Sequence, residues 1–437
     1  MRFTLFSTVL VALLAVPAQA QRTLLHCGTV LDPATSMEAL GPHTLTIEGN
    51  RIAAVTGGFV EAGEGDIVID LRGAFCMPGL MDMHTHLGGE SRKNGYIDRY
   101  TVPPAEQALR ATEYARTTLL SGFTTVRNVG GREGVTIALR NTINRGVVVG
   151  PRMFVAGQSL AIMGGHADPT NGGREDLLGI PDESQGIVGG VDSAIQATRL
   201  AIKRGADLIK ITATGGVLSL ARDGSGPQFR TEEIEAIVET ARDAGIKVTA
   251  HAHGDEGMRR AVEAGVGSIE HGTMMSTATM DLMIERGTYY VPTITAGRSV
   301  ADSASIAGYY VPMVAEKAQR IGPMIQSTFA NAYERGVPIA FGTDAGVFRH
   351  GRNAREFAYM VEAGMPPMEA IRSATVAAAD LLDQEANLGA LQPGFFADVV
   401  AVPRDPLADI TVLETRMDFV MKGGVVYKHD GQPTVRL

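Results

Sequence analysis

Met81-Asp82-Met83-His84-Thr85-His86, reached through Cys76-Met77-Pro78-Gly79-Leu80, carries two histidines one residue apart. Side chains alternate along a strand, so residues i and i+2 share a face. Two imidazoles on one face are half of a site for a zinc-like ion; alone, the pattern fits equally two polar residues at a strand end. Other segments add donors: Lys210 in Leu208-Ile209-Lys210-Ile211-Thr212-Ala213, His251 and His253 in Val248-Thr249-Ala250-His251-Ala252-His253-Gly254, His271 in Ile269-Glu270-His271-Gly272, and Asp344 in Phe341-Gly342-Thr343-Asp344-Ala345-Gly346. Each has a plainer reading. Lys210 could run out to solvent, either lone histidine could be a hydrogen-bonded structural residue, and Asp344 could cap a helix. Their chain order, each at a predicted strand end, points instead to one metal centre.

The elements that must position them alternate. Apolar runs predict strands over 79–86, 124–128, 152–156, 207–213, 247–253, 268–271, 289–293 and 339–343. Helical periodicity falls between them, over 104–121, 191–204, 231–244, 256–264 and 277–286. Thr231-Glu232-Glu233-Ile234-Glu235 reads as a helix start with acid in its first turn. Eight βα units over roughly 300 residues fit a TIM-type (β/α)8 barrel, whose catalytic groups gather at the C-terminal strand ends. An open doubly wound sheet is the alternative, weakened by the absence of a G-x-G-x-x-G after the first strand. Short alternating strands with turn residues occupy both ends of the chain, including Thr44-Leu45-Thr46-Ile47-Glu48-Gly49-Asn50 and Phe419-Val420-Met421-Lys422. They predict a small β-sandwich built from 21–77 and 387–437, with the barrel spanning 78–386.

Residues 1–20 read as a secretory signal peptide: Arg2, an apolar run over 5–16, then Ala18-Gln19-Ala20 before Gln21. The mature protein is expected to be exported, periplasmic or secreted, with no membrane association after cleavage. A formal net charge of −9 without a basic block argues against nucleic acid. Cys27 and Cys76, the chain's two cysteines, are read as small buried apolar residues, with a disulfide between them as the alternative that an exported compartment would allow.

These motifs together resemble the metal-dependent amidohydrolase superfamily over essentially the whole mature chain. The resemblance rests on Pro78-Gly79-Leu80 running into His84 and His86, the strand-four Lys210, the later histidines, Gly342-Thr343-Asp344, and the closing Leu391-Gln392-Pro393-Gly394-Phe395-Phe396-Ala397-Asp398-Val399. Met163-Gly164-Gly165-His166, Lys210-Ile211-Thr212-Ala213-Thr214-Gly215-Gly216-Val217 and His251-Ala252-His253-Gly254 resemble its Xaa-Pro dipeptidase-like and carboxypeptidase-like group, which includes ochratoxin-hydrolysing amidases. The resemblance implies a binuclear site with two divalent ions, zinc by default. His84, His86 and Asp344 would hold the first ion and His251 and His271 the second, with Lys210, carboxylated on its amine, bridging them. A bridging water would lose its proton at neutral pH. Asp344 would carry that proton to the leaving amine, and His166 or His253 would face the oxyanion. A homo-oligomer is also implied.

The implied substrates are dipeptides or N-acyl amino acids, cleaved at the amide. Arg222, Arg349 and His350 are candidate anchors for a substrate carboxylate, and Tyr96, Tyr309 and Tyr310 candidate pocket walls. A deaminase of the same superfamily is one rival, because His253-Gly254-Asp255-Glu256 has the spacing of a histidine–glutamate proton shuttle; a mononuclear deaminase needs no bridging lysine. An imidazolonepropionase-like cyclic amide hydrolase is a second. A non-catalytic exported binding protein is the rival from another class.

Overall fold

The computed structural model describes residues 21–434 apart from 94, 222 and 223. The expected signal peptide, and Arg222 with it, lie outside the described residues, as does the side chain of Tyr96.

Seven parallel strands follow one another round the centre. Leu80–Thr85, Phe123–Asn128 and Arg152–Val155 form one ladder, and Ile209–Thr212, Val248–Ala252, Ser268–His271 and Tyr289–Val291 form another. Single parallel bridges join the ladders: Leu160 to Ile211, Tyr290 to Ile339, and Ala345 back to Thr85. The contacts return to the first strand, the connectivity that a (β/α)8 barrel requires. Almost every residue of these strands is buried, since parallel strands are covered on both faces. Helices Pro104–Leu120, Val135–Asn144, Val191–Lys203, Thr231–Asp243, Asp255–Glu263, Thr277–Arg286 and Ile325–Arg335 occupy the successive crossovers.

The eighth expected strand, 339–343, is not a regular strand. Only Ile339 and Ala345 make β-bridges there. The Asp82 carboxylate accepts from the Thr343 amide (3.1 Å) and hydroxyl (2.6 Å), taking a donor that a ladder would use. Asp344 then turns to φ 59, in the left-handed region.

The terminal segments form an eight-stranded mixed sheet. The expectation of a two-sheet sandwich is therefore corrected to one hydrogen-bonded sheet that curls on itself. Ile67–Pro78 is long enough to serve both ends of the chain: Cys76 faces Val30 on one side and Ala401 on the other. The outer strand Arg51–Gly57 meets the segment before Val399, with Ile52 N donating to Phe395 O and Ala397 N to Asn50 O, both at 2.9 Å. Cys27 and Cys76 are not free thiols. Their strands run parallel with the Cα atoms 5.9 Å apart, and they form a disulfide that is fully buried. Gly79 links this sheet to the first barrel strand; a Cβ there would lie 2.1 Å from Thr124 Oγ1, so no larger residue fits.

Candidate active site

The first barrel strand delivers His84 and His86 to one face, as period-two geometry requires. Their Nε2 atoms lie 3.3 Å apart, and 3.4 and 3.2 Å from Asp344 Oδ1. One ligand atom from each of the three residues falls within 4.8 Å of the others. Two imidazole nitrogens and a carboxylate converging on one point fit a divalent cation. His84 Nδ1–H donates to Glu270 Oε2 at 2.7 Å, which leaves the Nε2 lone pair facing the group. Burial lowers the His84 imidazole to about 4, so the ring is neutral at neutral pH. Burial alone would raise the Asp344 carboxyl, but His84 and His86 outweigh it and hold the group below its ordinary range.

Lys210, His251, His253, His271 and His166 line the same cavity of about 200 Å³. His271 bridges the two groups, its ring centroid 4.9 Å from that of His84 and 4.7 Å from that of His251. Each ring is oriented by a neutral partner. His271 Nδ1 lies 2.8 Å from Thr293 Oγ1, and His253 Nδ1 2.8 Å from Thr273 Oγ1. His251 Nε2–H donates to Gly215 O at 3.2 Å, which leaves Nδ1 with the lone pair. His166 stacks on His251 at 4.3 Å, its Nδ1 buried without a hydrogen-bond partner. Gly216 sits against the His166 ring, where a Cβ would approach to 2.2 Å. Burial lowers His166 to about 3 and His253 to about 4, and takes His251 and His271 well below the usual imidazole range. Lys210 is 4% exposed, its ammonium lowered to about 8 by burial. Among the described residues it has no ion pair or side-chain hydrogen bond. Glu270 and Asp344 favour its charge from a distance, but burial outweighs them, and a buried amine without a direct partner is costly unless neutral or modified.

Backbone strain collects here. His271 (φ 69), Thr293 (φ 57) and Asp344 (φ 59) all adopt left-handed conformations, at the ends of consecutive barrel segments. Such conformations cost roughly 1–3 kcal/mol each and persist where surrounding contacts over-determine them. Three buried groups do so. Tyr290 OH donates to His271 O at 2.9 Å. Glu356 accepts from the Ile294 and Thr295 amides, both at 2.7 Å. Asp82 holds Thr343 as described above.

Several of these residues escaped the sequence reading. Glu270 accepts from His84 Nδ1, Ser268 Oγ and Arg127 Nη2, each at 2.7 Å, and from Thr249 Oγ1. Burial pushes its carboxyl up, yet Arg127 and His84 hold it well below the ordinary range. Asp82 rises to about 6 by burial despite its four donors. The signal was present: Asp82, Arg127 and Glu270 are charged residues in strands buried on both faces, where only pairing makes them affordable.

Among the described residues, the expected substrate anchors and pocket walls are not brought to the cavity. Arg349 is exposed, and neither it nor His350, Tyr309 or Tyr310 lines the cavity. The His350 ring packs on Tyr114, and its Nε2–H donates to Gly89 O at 2.9 Å.

Residues 75–427 match the family described as "Amidohydrolase family". The chain is 35% identical over 373 residues to an ochratoxinase of Aspergillus niger, covering 81% of this chain and 76% of that one. Its fold matches a crystal structure of a Xaa-Pro dipeptidase with bound methionine in the active site, with a TM-score of 0.90 at 48% identity over 93% of this chain and all (100%) of the other. A prolidase complexed with N-methylphosphonate-L-proline matches with a TM-score of 0.86 at 32% identity, covering 94% and 100% of the two chains.

Proposed function

The chain belongs to the amidohydrolase family, and from that premise we propose that it is a binuclear metal-dependent hydrolase of dipeptides or N-acyl amino acids. Amide hydrolysis as the reaction class is supported by the ochratoxinase, dipeptidase and prolidase likenesses. The observation that carries the finer reading is that one cavity is lined by the His84, His86 and Asp344 group and also by His251, His271 and buried Lys210. His84, His86 and Asp344 would hold one ion and His251 and His271 the other, with Lys210 bridging as its carboxylated form. Zinc suits this nitrogen and oxygen donor set.

When bound, the ions would supply positive charge that polarises the amide carbonyl and makes water acidic near neutral pH. The protein's own groups do the rest. The Asp344 carboxylate, held ionised, accepts a proton from the attacking water and returns it to the leaving nitrogen, which is a poor leaving group until protonated. His166 and His253, neutral and aimed into the cavity, donate hydrogen bonds to the oxygen that gains charge. Buried walls exclude bulk water, which strengthens each of these interactions. The methionine bound in the dipeptidase relative suits a product site of amino-acid size.

The same reading includes the (β/α)8 barrel as the scaffold, the curled terminal sheet as its second unit, and export. The Cys27–Cys76 disulfide supports export, since such bonds persist in oxidising compartments. The test is hydrolysis by protein reconstituted with zinc and bicarbonate, using Xaa-Pro, Xaa-Arg and Xaa-Phe dipeptides and an N-acyl-phenylalanine, with products read by mass spectrometry. Cleavage abolished by a chelator is expected. Ammonia release from a ring substrate with no peptide cleavage, or no turnover by metal-loaded protein, would overturn the reading.

A further inference from the structure

The cavity also has an apolar wall, built from segments other than those that carry the histidines, that the hydrolytic steps leave unused. Val217 and Leu218 come from the loop after Ile209–Thr212, and Val300 from helix Ile294–Ala304. Ile321 and Ile325 flank the turn between helices Pro312–Ile321 and Ile325–Arg335, and Val347 follows Asp344. Val217, Val300 and Ile321 belong to a small apolar cluster separate from the barrel core, with Leu218 and Val347 packed against it.

This wall has a fixed shape. A Cβ on Gly322 would lie 2.5 Å from Gly297 O, and one on Gly297 2.9 Å from Gly322 O, so the two segments meet backbone to backbone. Lys317, on the same helix as Ile321, donates to the carbonyls of Gly216, Ser219 and Ala221, each at 2.8 Å. That clamp ties the loop bearing Val217 and Leu218 to the helix bearing Ile321. Among the described lining residues, the Lys, Arg, Asp and Glu side chains are Lys210 and Asp344, and neither belongs to the apolar wall.

We propose that this wall is the subsite for a side chain beside the scissile amide, and that it selects an uncharged, apolar one. The inference rests on the amide-hydrolase reading and adds the class of side chain. Each methylene buried there contributes favourably, whereas a charged side chain would lose its hydration and gain no partner. A hydrophobic pocket separates side chains differing by one methylene by about 10–200-fold, and rejects an unpaired charge more strongly.

Metal-loaded enzyme is assayed on two dipeptide series, Xaa-Ala and Ala-Xaa, with Xaa as leucine, methionine, phenylalanine, aspartate, lysine or arginine. In one series, kcat/KM for leucine, methionine and phenylalanine is expected to exceed that for aspartate, lysine and arginine by about 100-fold or more. Val300→Asp, with metal content checked, should lower leucine-peptide turnover at least about tenfold and raise the lysine peptide relative to it. Should that variant fail to fold, Val300→Ala serves, moving preference from leucine toward phenylalanine. Turnover of charged and apolar peptides within tenfold of each other in both series would overturn the inference and leave the hydrolase standing. No turnover in either series, with an Xaa-Pro dipeptide or N-acyl-phenylalanine still cleaved, would overturn the inference alone, and no turnover of those substrates either would overturn both.

Discussion

The two halves of the site are built differently. His84, His86 and Asp344 form a compact triad whose supports are themselves charged: Glu270 orients His84, and Asp82 fixes the backbone before Asp344. His251, His271 and Lys210 are supported by a carbonyl and by the Thr293 hydroxyl, and bring no carboxylate of their own. The first half is complete as the polypeptide folds. The second has two neutral imidazoles and a buried amine, and no anionic oxygen of its own to balance the charge of a divalent ion. On the proposed reading, carboxylation of Lys210 supplies that oxygen, so one half is encoded directly and the other is finished by chemistry on a side chain.

The comparison can be broken from the complete half first. Asp344→Asn keeps the shape but removes the proton carrier; kcat is expected to fall by about 10³-fold, within the usual range for general acid–base groups, with a smaller loss of bound metal. Retention of full kcat would remove Asp344 from its role. Glu270→Gln strips the counter-charge from buried Arg127 and the acceptor from His84. Unfolding free energy should drop by about 3–5 kcal/mol in denaturant titrations, and metal affinity by about 10–100-fold.

The incomplete half is sharpened by Glu356, which anchors the loop after Thr293. Burial raises its carboxyl to about 7 from an ordinary 4.5. The folded state therefore binds more protons than the unfolded state between those values, and this group's contribution to stability falls as pH rises from about 4.5 to about 7. Glu356→Gln lacks that dependence. Its destabilisation relative to the native chain should shrink by about 2–3 kcal/mol between pH 5 and pH 8, read by urea unfolding at each pH. A pH-independent difference would contradict the assignment. The smallest expected effect is at Thr293. Thr293→Val keeps the branched shape but loses the hydroxyl on His271 Nδ1. Affinity for the ion at His251 and His271 should fall by about tenfold, Thr293→Ser should restore it, and thermal stability should change little. Equal loss in both variants would show that only packing matters there.

Much of this was legible in the chain. His84, His86, Lys210, His251 and His271 stand out because apolar strands end in residues that apolar strands otherwise avoid, and the structure gathers them round one cavity. The residues behind them were not legible. Glu270 reaches His84 across 186 positions, and Asp82 reaches Asn353 across 271. Such pairs depend on which strands close the ring and on which way each side chain points. The Cys27–Cys76 bond depends likewise on the parallel register of two strands, which spacing alone does not give. The eighth strand was over-read because Ile339-Ala340-Phe341 has strand composition, while a side chain from the first strand takes the amide of Thr343.

Whether Lys210 completes a two-ion site is decided by metal content from elemental analysis, comparing the native chain with Lys210→Ala after reconstitution with zinc and bicarbonate. About two ions per native chain are expected and about one in the variant, retained by His84, His86 and Asp344, with turnover lost. Two ions in both proteins, or full turnover by the variant, would contradict that role for Lys210.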